Sequence, residues 1–387
     1  GNPFFIEEVV QSLIGSGRLE GARGHYRLVG DLEQIEIPAT VQSVLAARID
    51  RLREREKRVL QLCAVIGEDL RESLIEQVAE LPGPELAEAL RSLVHGEFLT
   101  ERALYPELEY AFKHALTRDV AYGSQLREHR ARVHAAVAKA LEELHAEALD
   151  EKAALLAHHW EQAGEPLEAA RWHHCAFQWM YMKDPAHRLE HAQKVRELLA
   201  EAPESPETLE LRIDALRCIL LSASHLGLEE SEFIRLVEEG NALLSRSGDA
   251  RAHALFLMGT GGALSIAGSL RAALPPLEQA VTRADEIGDA ELRAAALSRL
   301  ALAHVMGGSS DRVLAVTEEA IEILGGAAAA EANPSPLNPY DALLSFRGWA
   351  LAVSGRFGEA RAALDGALEL ATERGDVARA FLIRFVW

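Results

Sequence analysis

The second half of this 387-residue chain repeats itself, and that self-similarity limits its fold more than any single motif does. Counted from Gly268, Ala273 follows five residues on, Leu277 nine, Ala280 twelve, and Gly288-Asp289 begins at twenty. Counted from Gly355, Ala360, Leu364, Ala367 and Gly375-Asp376 fall at the same marks. Weaker copies start at Gly308, with Val313 and Ala320, and at Gly227, with Leu236 and Gly248-Asp249. The starts lie 41, 40 and 47 residues apart, the last interval being stretched by an alanine run at 327–330 and a proline-rich segment at 333–339. Such a period suits two antiparallel helices: glycine lets the chain turn sharply, and alanines at the crossing let the backbones approach. One hairpin cannot bury its apolar face alone, so neighbours stack into a superhelix.

The first half has a different rhythm. Phe4, Phe5, Val9, Val10 and Leu13 make a helical stripe ending at Gly15 and Gly17, and short extended pieces follow near His25–Val29 and Gln34–Ile37. Pro38 opens a helix whose apolar face is Val41, Val44, Leu45, Ile49 and Leu52; Val59, Leu60, Leu62, Cys63 and Ile66 form the next, stopped at Gly67. Two short helices fit residues 72–80 and 84–94, and a hairpin follows, with strands near 98–101 and 108–112. Helices followed by a two-stranded wing are the order of a winged-helix module, and this hairpin is the one sheet the pattern predicts firmly. A long helical region begins at His114, with Leu116, Val120, Ala121, Leu126, Val133, Val137, Leu141 and Leu144 at helical spacing. Trp160, Trp172, Phe177, Trp179, Met180, Tyr181 and Met182 then mark a thick helix-helix core.

Composition closes several routes. A formal charge of -20, from 60 acidic against 40 Lys and Arg residues, repels nucleic-acid phosphates. The run Arg51–Arg58 interleaves glutamates with its cations and reads as a helix surface laced with ion pairs. No apolar stretch is long enough for a membrane span, and Cys63, Cys175 and Cys218 sit in apolar helical patterns as reduced core residues, so a cytoplasmic location is expected. Residue 1 is Gly, and residues 378–387 form an apolar helical pattern without a stop signal, so the chain is expected to continue in both directions.

Catalytic signatures are missing from the pattern. There is no phosphate loop, and Gly259-Thr260-Gly261-Gly262 lies inside a helical repeat, where close packing explains it better than a phosphate cradle. His158-His159, His173-His174 and the His187/His191 pair, with Cys175 nearby, raise a metal site, but the spacings match no known ligand set. Glu7-Glu8 and Glu318-Glu319 read as exposed helix positions, and Ser124 has no identifiable base. The expectation is therefore a noncatalytic piece with no metal site.

Two resemblances add to this reading. Trp160 four residues before Gly164, with Leu167, Ala169 and Ala176, and the word Gly355-Arg356-Phe357-Gly358-Glu359-Ala360 with Ala367, resemble tetratricopeptide repeats, here in an elongated form. Gly1-Asn2-Pro3-Phe4-Phe5-Ile6-Glu7-Glu8-Val9-Val10, Ile37-Pro38-Ala39-Thr40-Val41 with Leu45–Leu52, and Tyr110–Tyr122 resemble the end of the ATPase module in bacterial signalling ATPases of the STAND class. The branch fused behind an adenylate or guanylate cyclase domain is the most similar, and related modules occur in LuxR-type transcription regulators. The resemblance covers about residues 1–145.

It implies an all-α fold with one small β-hairpin: the end of an ATPase helical lid at 1–36, a winged-helix-containing domain at 37–145 and tetratricopeptide-like repeats at 146–387. It places Pro3 beside a bound adenine, with Gly1 and Asn2 shaping the turn, and offers His114 to the phosphates of ADP. From the residues alone, Pro3 is a helix first-turn residue and His114 a capping or packing residue. Phe112-Lys113-His114 also departs from the family's Met-His-Asp wording. ATP or ADP with Mg would bind in the full-length parent, and this piece alone would hold no cofactor strongly. The implied partners are an upstream ATPase core, a cyclase domain, and a protein or small-molecule effector at the repeats; direct nucleic-acid binding is disfavoured. A LuxR-type regulator with its DNA-binding domain beyond residue 387 and a noncatalytic scaffold are the alternatives.

Overall fold

The computed structural model describes residues 6, 9–11, 13–14, 18–22, 25–29, 40–103, 107–180, 184–226, 229–325, 339–373, 380 and 383–384. The chain divides into two compact units, Gly1–Ala169 and Ala170–Trp387.

In the first unit, β1 (Leu19–Ala22) and β2 (His25–Leu28) pair antiparallel, Leu19 opposite Leu28 and Ala22 opposite His25. β2 coincides with the extended piece expected near His25–Val29, and its pairing with β1 makes a second hairpin beside the one that the sequence predicts firmly. The expected extended piece at Gln34–Ile37 falls outside the described residues.

Next comes α1 (Val41–Asp50), started by a reciprocal cap: Ser43 N–H donates to Thr40 Oγ1, and Thr40 N–H donates to Ser43 Oγ. Then follow α2 (Glu54–Ile66), β3 (Leu70–Arg71), α3 (Glu72–Val78), α4 (Gly83–His95), β4 (Leu99–Ala103) and β5 (Glu109–Phe112). The sheet order is β3-β5-β4, with Leu70 opposite Tyr110 and Leu99 opposite Phe112. Helix, strand, two helices and a returning hairpin make the complete winged-helix order. Its third strand is only two residues long, beyond what an alternating pattern can signal. Val59, Leu60, Cys63, Ile75, Leu90, Leu93 and Leu99 close the core.

The helical region expected from His114 opens with two helices. α5 (Ala115–Gly123) ends at Ser124, and α6 (Arg127–Leu144) starts after Leu126, which is 75% exposed at the N-cap instead of sitting on the apolar stripe. α7 (Leu149–Ala163) follows and stops at Gly164, in the left-handed region. α8 (Pro166–Trp179) carries Phe177 fully buried, but Trp179 is an exposed residue rather than part of the core.

The second unit continues through α9 (Pro185–Leu198), α10 (Pro206–Leu226), α11 (Glu230–Ser247), α12 (Ala250–Ile266), α13 (Leu270–Glu286), α14 (Ala290–Met306), α15 (Ser310–Ile323), α16 (Tyr340–Val353) and α17 (Phe357–Glu373). The segments from Gly268, Gly308 and Gly355 form consecutive, mutually packed hairpins, α12-α13, α14-α15 and α16-α17, giving an all-α, tetratricopeptide-like stack. The three turn glycines have φ of 79°, 70° and 77°, a region that other residues enter at a cost. Gly227, Gly375 and Asp376 lie outside the described residues.

Packing inside each hairpin explains the repeat. Seven residues before the turn stands Gly261 or Gly348; nine after it stands Leu277 or Leu364. A Cβ placed on Gly348 would lie 2.6 Å from Leu364 Cγ, and one on Gly261 would collide with Leu277. The middle hairpin has Ala301 and Thr317 at those two places, both fully buried. A methyl gained on one helix is matched by bulk lost on the other, so the crossing volume is conserved.

Candidate functional site

Of the residues the sequence nominates for nucleotide, Gly1, Asn2 and Pro3 lie outside the described residues. His114 occupies the N-cap of α5 with extended backbone (φ -138°, ψ 135°), and its side chain makes no capping hydrogen bond to that helix.

Ion pairs line the edge that α2 shares with α4, while Arg91 of α4 is exposed. On α4, the third helix of the module, Glu88 meets Arg55 of α2 at 2.9 Å and Glu85 meets the same guanidinium at 3.6 Å; Arg53 reaches Glu56 at 2.6 Å. Lys57 pairs with Asp50 and Arg58 with Glu54. Arg53, Arg55, Lys57 and Arg58 are thus each paired with a neighbouring carboxylate.

Four of the histidines stand in two close pairs among the described residues. Among the described residues, no group of three or more His, Cys, Asp or Glu side chains is arranged to hold a metal ion. In the first unit, Nδ1 of His134 lies 2.9 Å from Nδ1 of His159, and Tyr122 Oη lies 3.0 Å from His134 Nε2. One proton serves the ring–ring contact, so the two rings cannot both be cations. Burial, then His158 and Arg130, push His134 down to about 4, and burial, then His134 and His158, push His159 down to about 3. In the second unit, His173 and His191 face each other at 2.6 Å, whereas His187 turns to Asp184 at 2.6 Å, so His187 and His191 do not converge.

His174 behaves oppositely. Its burial disfavours charge, but hydrogen bonds to Asp214, at 2.9 Å, and to Cys175 outweigh that and push it up to about 9. Burial would raise Asp214, yet His174 and Arg217 hold it below the usual carboxylate range. The arrangement is a half-buried ion pair tying α8 to α10. Cys63 and Cys218 are buried and unpaired as disulfides, and Cys175 is half-buried rather than in the core.

The glycine word in α12 serves packing. A Cβ on Gly259 would lie 3.0 Å from Arg217 Cγ of α10, and one on Gly262 would touch Leu221 at 3.6 Å.

A groove in the second unit is the strongest candidate for a binding site. About 600 Å³ in volume, it is walled by α15 and α17 with α16 at its base. Ile321, Leu344, Leu351, Ala362 and Ala363 supply apolar surface, and Glu318, Glu322, Arg347 and Glu359 supply charge. Glu359 accepts from Arg356 Nε at 2.8 Å and from Arg356 Nη2 at 2.6 Å, which neutralises that wall. Sequence reasoning treated Glu318 as an ordinary exposed position and passed over Arg347. The available signal was positional: eight residues before the turn, the preceding hairpin has Leu300 where this one has Arg347.

The chain matches no protein-family model and no curated protein. It is similar to the solved structure of a Signal Transduction ATPase with Numerous Domains (STAND) protein with a tetratricopeptide repeat sensor from Pyrococcus horikoshii. That match has 14% identity over 91% of this chain and 56% of the other, with a TM-score of 0.44. A Rap protein complexed with competence and sporulation factor is 13% identical over 89% of this chain and 80% of that one, TM-score 0.48. Aspartyl phosphate phosphatase F from Bacillus subtilis is 11% identical over 91% and 94%, TM-score 0.43. The chain therefore spans just over half the length of the archaeal STAND structure. None of these scores transfers a residue's role to this chain.

Proposed function

We propose that this chain is the coupling and sensing portion of a multidomain signal-transduction ATPase, in which residues 1–145 connect a nucleotide-driven module to the repeats and the repeats receive a protein or small-molecule effector. The observation that carries the reading is the winged-helix order of elements, with Glu85 and Glu88 of the third helix paired to Arg55 of the first, in a chain that goes on to stacked hairpins. A winged helix whose third helix presents Glu85 and Glu88 beside its cations suits a relay between protein parts better than a reader of DNA. Stacked hairpins present extended surfaces of the kind that solenoids use for recognition. The words that resemble STAND ATPases supply the nucleotide side of the proposal: Gly1, Asn2 and Pro3 toward adenine, and His114 toward phosphates, with Mg and the phosphate loop supplied by the parent.

Effector binding would then favour one arrangement of the winged-helix domain. Reciprocity requires nucleotide state to alter effector affinity by the same factor. A nucleotide cyclase is the output that the flanking words suggest. The test is the complete coding sequence together with nucleotide binding by its product. A phosphate-binding loop upstream of Gly1 and Mg-dependent ATP or ADP binding are expected; a full-length protein without either overturns the proposal and leaves a repeat scaffold.

A further inference from the structure

The seams between successive hairpins can be compared position by position, because each is numbered from its turn glycine. In the seam formed by α13, α14 and α15, Leu300 lies eight residues before Gly308 and Val316 eight after it; both pack with Ala273, Leu277 and Ala303. The next seam, formed by α15, α16 and α17, has Arg347 and Ala363 at those places. Val281 is replaced by Ile321, which keeps that wall apolar. Two apolar plugs are thus exchanged for a guanidinium and a methyl, and the seam opens into the 600 Å³ groove.

From this we infer that the α15-α16-α17 seam is a docking site for a cationic, apolar-anchored peptide segment, an inference that deepens the receptor role proposed for the repeats. The volume accommodates apolar side chains against Ile321, Leu344, Leu351 and Ala363. Charge selects the sign of the rest. Glu318 and Glu322 stand one helical turn apart on α15, both exposed; Arg356 is bonded to Glu359 and acts on Glu318 through space, and no cation is bonded to Glu318 or Glu322 among the described residues. The Lys or Arg side chains of the segment meet Glu318 and Glu322, in a chain whose formal charge is -20. Arg347, half-buried at the base and engaged with Glu359 only through space, donates to main-chain carbonyls of the segment. A protein segment satisfies all three demands; an anion satisfies only one.

The test uses the whole chain and three labelled synthetic peptides read by fluorescence anisotropy: one of leucine and lysine, one of leucine and glutamate, one of serine and lysine. The leucine-lysine peptide is expected to bind at least about tenfold more tightly than the other two. Arg347→Leu with Ala363→Val, which rebuilds the closed seam, should weaken it by about tenfold or more. Glu318→Lys with Glu322→Lys leaves the floor intact and should reverse the preference toward the leucine-glutamate peptide, so the inference stays testable if the filled variant does not fold. Equal binding of acidic and cationic peptides, no binding of any, or unchanged affinity in the filled variant overturns the site. None of these outcomes bears on the nucleotide half of the proposed function, which the coding sequence decides separately.

Discussion

The pairs that cross inside each hairpin show how single residues set this fold. Gly261→Ala gains roughly 1 kcal/mol of helix propensity but overpacks against Leu277, at a cost of about 1 to 3 kcal/mol. A net loss of stability is expected in denaturant unfolding, and Leu277→Thr should restore much of it by copying the Ala301 and Thr317 solution; an unchanged midpoint for the single variant would sink this account. The histidines set a pH dependence of opposite signs in the two units. His134 and His159 titrate below their ordinary value when folded, so their contribution is complete above about 6.5 and is lost as pH falls toward about 4 and about 3. Between those limits each group costs up to about 1.4 kcal/mol per pH unit. His174 is raised to about 9, so its contribution is present below its ordinary value and disappears as pH climbs through 9. Hydrogen exchange should show opening free energies of α6 and α7 falling on acidification, with the slope flattened in His159→Gln. For α8 and α10 the fall should come on the alkaline side.

At the scale of elements, capping joins neighbouring hairpins. Asp289 accepts from Leu292 N–H at 2.9 Å and also from Arg251 Nε, at 3.1 Å, which starts α14 and ties it to α12. Its carboxylate is held below its ordinary range by the Leu292 amide first, while burial opposes and Arg251 assists. Asp289→Ala should cost about 1 to 2 kcal/mol and raise exchange in the first turn of α14; unaltered exchange there would show that the cap is dispensable. Elements with a strong period were legible from sequence: the hairpin turns at Gly268, Gly308 and Gly355, the stop at Gly67, and the strands around 98–112. Those set by tertiary pairing were not. β3 exists because Leu70 finds Tyr110, and the break at Leu126 arises because α5 and α6 turn there, neither of which a local pattern carries. The groove was legible only by comparing hairpins, since it follows from Arg347 and Ala363 standing where the preceding seam has Leu300 and Val316.

For the whole molecule, duplex DNA provides the discriminating measurement on the winged-helix module. With Arg53, Arg55, Lys57 and Arg58 each bonded to a carboxylate, no salt-dependent retardation of duplex DNA by the chain is expected. A shift that weakens steeply with salt would restore a nucleic-acid role. Among the described residues no helix is long and apolar enough to cross a membrane. The conserved crossing volume also constrains how such an array can be inherited. Unequal recombination that joins α12 to α15 would set Gly261 opposite Thr317 and leave a void, and joining α14 to α13 would drive Ala301 into Leu277. Exchanges falling between hairpins, at junctions such as Gly288, always keep matched partners together, whereas a breakpoint at a turn glycine does so only between the two hairpins that share the Gly261/Leu277 and Gly348/Leu364 crossing.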